Sequence, residues 1–237
     1  MSDATAARQD ITHRRVLKIA LPIVLSNATV PILGAVDVGV VGQMGEAAPI
    51  AAVGLGAITL STVYWIFGFL RMGTVGLVGQ AEGAGDRAEV SAWLTRALVV
   101  ALVAGFSLIV LQPLVIWGAL QVSDASDTVE TLARQYLAIR IWTAPAAIAV
   151  YALTGWLVAM EKTSGVFWVQ LTMNGVNILL DLLFVLVLEW GVPGVAIATV
   201  IAELTGAALG LWFCREAFRH PQWRNRARIF DRAKLCL

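Results

Sequence analysis

Two aspartates, Asp37 and Asp181, lie inside stretches that are otherwise long and apolar enough to cross a bilayer. An ionisable side chain in hydrocarbon costs about 3 kcal/mol or more, so by default it marks an ion pathway or a substrate site. The competing reading is a charge that snorkels to the surface or is paired only to hold two helices together. For Asp181 the neighbouring residues weigh against that. Gln170, Asn174, Asn177 and Asp181 follow one another at spacings of 4, 3 and 4, which places all four on one helix face. Such a stripe must face protein or water rather than lipid. Arg71, Arg140 and Glu203 are further charges in apolar surroundings, and Arg140–Asp181 or Arg71–Glu203 would be ordinary packing pairs. Desolvation favours a protonated carboxyl, whereas a nearby guanidinium favours the carboxylate. A carboxylate in a polar cavity can therefore take up a proton or a sodium ion on one side of a membrane and release it on the other.

The elements that must position these groups follow from composition. With 59% hydrophobic residues and 14% charged, and a mean hydropathy of +0.78, the chain has too few charges to cover a soluble surface. Its net charge of +1 offers nothing to nucleic acid. Cys214 and Cys236 are too few for a disulfide framework and have no metal-ligand company. His13 and His220 flank the apolar region. No serine–histidine arrangement, phosphate loop or metal cluster is present in the sequence, which argues against an enzyme. The amino terminus is polar through Lys18 and lacks a cleavable signal pattern.

Six apolar runs, 16–43, 49–81, 90–120, 131–160, 166–188 and 192–214, reach the length of about 20 residues that a hydrocarbon core of about 30 Å demands. Helix is the state expected for each, because lipid offers no partner to an open strand edge. The expected fold is an all-α membrane bundle of six transmembrane helices. Residues 1–15 precede it and a basic segment, 215–237, follows it. Lys and Arg gather before the first run, at Arg87, Arg96 and Lys162, and after Cys214, whereas the other connections carry Glu46, Asp124, Asp127, Glu130 and Glu189. The positive-inside rule then places both termini in the cytoplasm.

Pro22, Pro31, Pro113 and Pro145 each remove a backbone hydrogen bond and invite a break within a span. Gly206 and Gly210 form a GxxxG, and Gly73, Gly76 and Gly79 recur along the second run, a pattern expected for close helix packing. Trp117, Trp142 and Trp190 are expected near span ends as interface anchors. Counted from the outer ends at about 1.5 Å per residue, Asp37, Asp181, Tyr136, Arg140 and Thr199 come to a similar level in the outward half. Glu203 sits one turn deeper on the Thr199 face.

The sequence resembles the multidrug and toxic compound extrusion (MATE) transporters, in particular the branch of DNA-damage-inducible protein F. The resemblance lies in "ALPIVLSNATVPILGAVDVGVVGQMG", "LRMGTVGLVGQAEGAGD", "MNGVNILLDLLFV" and "GVPGVAIATVIAE". It implies cation-coupled export of amphipathic, often cationic compounds through a V-shaped pair of six-helix lobes. It also implies a cation site at Asp37, Asn177, Asp181 and Thr199, joined by Tyr136, and bending of the first span at Pro22 and Pro31. Gln170 and Asn174 would line the substrate chamber. No cofactor is expected beyond the coupling proton or sodium ion.

MATE proteins have about twelve spans in two related lobes, and only six runs are present here. The ending "RNRARIFDRAKLCL" looks like the start of the cytoplasmic linker between lobes. The chain is therefore expected to form the amino-terminal lobe, in a bacterial inner membrane, with a second six-helix lobe or a second copy as its partner. A flippase for lipid-linked sugars and a non-transporting membrane fragment are the alternative functions.

Overall fold

A computed structural model describes residues 20, 21, 24, 39–43, 45–219, 221–224 and 229. Asp37, Pro22 and Pro31, and most of the first apolar run, lie outside the described residues. Eight α-helices are present among those residues: α1 (Ala47–Trp65), α2 (Gly68–Gly83), α3 (Arg87–Val110), α4 (Gln112–Val122), α5 (Asp127–Arg140), α6 (Ala144–Ala159), α7 (Thr163–Asp181) and α8 (Gly191–Phe213). They compose five stretches long and apolar enough to span a bilayer, Ala47–Gly83, Arg87–Val110, Asp127–Ala159, Thr163–Val187 and Gly191–Phe213. These match the second to sixth apolar runs.

Local chemistry explains where the helices begin and break. Gly85 turns the chain at φ +73°, and the Asp86 carboxylate then caps α3 by accepting from the Glu89 N–H at 3.0 Å. Asp127 and Glu130 occupy the first turn of α5 and Arg140 its last, the order that suits the helix dipole. Pro145 cannot donate a backbone bond, so α5 stops at Arg140 and Ile141–Thr143 tightens into a 3₁₀ turn. The Thr143 hydroxyl donates to the Arg140 carbonyl at 2.8 Å. Pro113 marks the equivalent break between α3 and α4, at the start of the latter. Immediately after Asp181 the backbone widens into a π-helical turn, Leu182–Val187. It closes with Trp190 stacked on Phe184, their ring centres 4.7 Å apart.

Helix α6 is the central strut, packed against α2, α3, α7 and α8, while α7 lies along α8 and α1 along α5. Its buried Ile148, Ala152, Leu153, Trp156 and Leu157 supply much of the core. Small residues set the closest approaches. A Cβ on Gly105 would stand 2.3 Å from the Pro145 Cα, and one on Gly155 would stand 2.7 Å from the Arg71 carbonyl oxygen. The two glycines of the GxxxG serve different neighbours, Gly206 facing Met173 on α7 and Gly210 facing Leu153 on α6.

Two expectations are corrected. Gly73, Gly76 and Gly79 make no close approach among the described residues, where a Cβ at each would meet no atom within 4 Å. Trp142 is not at a span end. It projects from the 3₁₀ turn in the middle of Asp127–Ala159, 64% exposed, because the turn rotates it out of the core. Described residues after Cys214 pack back on the bundle. Ala217–Arg219 and Pro221–Arg224 form short 3₁₀ turns. The Thr95 hydroxyl reaches the Trp223 carbonyl at 3.4 Å, and Arg96 Nε donates to the Ile229 carbonyl at 3.2 Å. Arg96 also bonds Glu89 at 2.7 Å with both side chains buried. Lys162 pairs with Glu216 across the same end of the bundle. The hydrogen bond and the positive charge of Lys162 hold the Glu216 carboxyl below its ordinary range.

Candidate ion-coupling site

The polar stripe of α7 faces inward. Asn174, Asn177 and Asp181 are buried, with Asp181 wholly inaccessible to solvent. Gln170 Nε2 donates to Asn174 Oδ1 at 2.9 Å, one turn along the same face. The next step crosses to α8, where Asn177 Nδ2 donates to Thr199 Oγ1 at 3.3 Å. Thr199 passes its own proton to the Val195 carbonyl at 2.9 Å, so its hydroxyl oxygen presents lone pairs to the site. Asn177 Oδ1 is buried with no hydrogen-bond partner among the described residues. An acceptor left in that state costs about 1–3 kcal/mol, and a proton-bearing or cationic ligand would relieve it. A buried carboxylate, a free amide oxygen and a hydroxyl oxygen are the hard donors that suit a proton or a sodium-sized cation. The π turn that starts at Leu182 places adjustable backbone next to Asp181, a feature often found at functional positions.

A second polar unit stands between α5 and α8. Arg140 Nη2 bonds Glu203 Oε1 at 2.7 Å, and Thr143 Oγ1 donates to Glu203 Oε2 at 2.5 Å. Arg140 Nη1 donates to the Tyr136 hydroxyl at 3.1 Å. The pairing is therefore Arg140 with Glu203, and neither of the two pairs weighed from sequence. Arg71, on α2, is half-buried and within electrostatic reach of Tyr151. Tyr136 is buried beside Val40, Val41, Val53, Val185, Val192, Val195 and Ala196, so valines from four parts of the chain wall it in. Gly56 makes this possible, since a Cβ there would stand 2.3 Å from the Tyr136 ring.

The structure thus joins Asn177 to Thr199 and Gln170 to Asn174, and it binds Tyr136 into the Arg140–Glu203 unit. Thr143 and Gly56 escaped sequence reasoning. Thr143 lies between Arg140 and Pro145 in "RIWTAP", and a hydroxyl two residues ahead of a mid-span proline was the available signal. For Gly56 there was none.

A helical bundle with five membrane-length stretches among the described residues, an inward polar stripe and a buried carboxylate is the architecture of a polytopic membrane protein. The match to known proteins makes the class specific: the MatE family model covers residues 22–183, and the chain belongs to that family. It is 36% identical over 201 residues to DNA damage-inducible protein F of Escherichia coli, covering 85% of this chain and 44% of that protein. It is 28% identical over 221 residues to the probable multidrug resistance protein NorM of Rhizobium meliloti, covering 89% of this chain and 45% of the relative. Among solved structures, a transporter of the MOP superfamily from Pyrococcus furiosus superposes with a TM-score of 0.78 at 19% identity, over 85% of this chain and 44% of its own. A MATE structure in a bent conformation superposes with a TM-score of 0.75 at 20% identity, over 84% of this chain and 44% of that one. The chain spans about 44% of the length of such relatives, so its fold is that of one lobe.

Proposed function

We propose that this chain is the amino-terminal lobe of a proton- or sodium-coupled exporter of amphipathic compounds. Asp181 and Asp37 would carry the coupling ion, with Asn177 and Thr199 as neutral oxygen donors. The observation that carries the reading is the wholly buried Asp181 carboxylate on the same α7 face as Asn177, which is bonded across to Thr199. Family membership and the multidrug-resistance name of a curated relative support it.

Binding a cation or proton at Asp181 neutralises a charge that hydrocarbon would otherwise penalise, so occupancy shifts how tightly α7 and α8 pack. Tyr136 takes a secondary part. Its oxygen already accepts from Arg140, and the nearby guanidinium disfavours a bare cation on that oxygen. Gln170 and Asn174 would lie on the chamber side of the stripe. A second six-helix lobe, on the same polypeptide or another, would complete the chamber, because alternating access needs one repeat to rock against its fellow.

In the complete transporter, Asp181→Asn and Asp37→Asn keep size and remove the titratable charge. Each is expected to abolish export driven by a proton or sodium gradient in proteoliposomes while leaving membrane insertion intact. Normal gradient-driven export by both variants would show that the coupling site lies elsewhere.

A further inference from the structure

At the end of the bundle that carries Lys162 and the segment after Cys214 there is a cavity of about 410 Å³. Its cationic lining comes from three separate places: Arg87 in the first turn of α3, Lys162 before α7, and Arg219 in the turn after α8. Glu82 and Glu216 also line it. Three cations against two carboxylates leave one positive charge in excess, and Glu216 is already engaged by Lys162. The inner wall is apolar, formed by Val90, Trp156 and Met160. Trp156 is 2% exposed and its indole Nε1 has no hydrogen-bond partner among the described residues. The Lys162 ammonium stands 5.5 Å from the centre of the Trp156 ring.

We infer that this cavity is a binding site for the headgroup of an anionic phospholipid. The cavity is lined by residues at the ends of apolar spans and in the charged connections next to them, the zone in which a membrane-embedded lobe meets lipid phosphates. Arg87 and Arg219 offer the planar donor pairs that suit phosphate oxygens. The excess charge matches a singly charged phosphodiester. The apolar inner wall offers a nonpolar surface to the carbons of a phosphodiester headgroup, which a free phosphate ion lacks. Because the cavity is bounded by α2, α3, α6 and the segment after α8, a bound lipid would tie that segment to the bundle. The inference requires a membrane-embedded lobe and does not depend on ion coupling.

The test is the thermal stability of the purified chain in neutral detergent, titrated with short-chain phosphatidylglycerol, short-chain phosphatidylcholine or inorganic phosphate. Saturable stabilisation by phosphatidylglycerol is expected, with little from the other two. In the double variant Arg87→Gln with Arg219→Gln, the half-saturating concentration should rise about tenfold, the scale of losing charge-assisted contacts. Glu82→Gln removes an opposing charge and should lower it severalfold, which keeps the test decisive if the arginine variant is poorly folded. Arg134→Gln, on α5 and away from the cavity lining, should leave it unchanged. Equal stabilisation by phosphatidylcholine or by phosphate alone, or indifference to both the arginine pair and Glu82, would overturn the assignment.

Discussion

At the scale of single residues, the charge on Glu203 of α8 is held by two donors from the break between α5 and α6. Arg140 and Thr143 both reach it, and Arg140 is buried to 9% exposure. Removing one partner of a buried pair leaves the other charge uncompensated, at a cost of about 3–5 kcal/mol. Glu203→Gln is therefore expected to lower thermal stability in detergent strongly, while Thr143→Val should cost about 1 kcal/mol through one lost hydrogen bond. The double variant Arg140→Gln with Glu203→Gln should lose less than the sum of the two single changes. Additive losses in that cycle would mean the pair is not coupled. Asp181 differs in kind. It is wholly buried on the α7 face that also carries Asn177, which bonds across to Thr199, and Asp181→Asn keeps its size, so the variant is expected still to insert into the membrane.

Elements place these residues through their closest approaches. Gly56 on α1 and Gly76 on α2 are the same residue type in comparable apolar helices, yet their surroundings are opposite. At Gly56 an added methyl group strikes the Tyr136 ring, which is walled in by valines. Overpacking of that kind costs about 1–3 kcal/mol, so Gly56→Ala is expected to destabilise and to disturb the Tyr136–Arg140 contact. At Gly76 the methyl group meets no atom of the described residues. Gly76→Ala should be neutral or stabilise by up to about 1 kcal/mol through helix propensity. Melting curves of the two alanine variants check the contrast, and equal effects would contradict the described packing. Helix breaks follow the same logic of local cause and distant use. Pro145 stops α5, and the turn that results carries Thr143 to Glu203 and swings Trp142 outward.

For the whole molecule, the bias of loop charges predicts an orientation that packing alone does not choose. Lys162, Arg87, Arg215 and Arg219 gather at one end, and Asp127, Glu130 and Glu189 at the other. Single cysteines at Asp127 and Glu189 should be labelled by an impermeant thiol reagent in intact cells, and one at Arg226 should not. The reverse pattern would turn the lobe over and place Asp181 in the inward half. The same basic end holds the cavity assigned to lipid, so orientation also decides which leaflet supplies the headgroup.

The sequence alone determined the class, the five described spans and the stripe of α7. Hydropathy over about 20 residues and spacing along one helix are local quantities, readable without knowing any neighbour. Motif resemblance added the family, which the match over 22–183 establishes. Which helices meet was decided by the tertiary structure. Arg140 and Glu203 are 63 residues apart in the chain, and nothing in either helix's own pattern distinguishes that pairing from Arg140–Asp181. The same limit explains the glycines. A small residue permits a close approach, but whether a neighbour takes it depends on how the whole bundle closes, so Gly56 is filled by Tyr136 while Gly73, Gly76 and Gly79 meet no neighbour among the described residues. Charge pairing and close packing between helices are properties of the three-dimensional arrangement, because their energies depend on separations that the chain spacing leaves free.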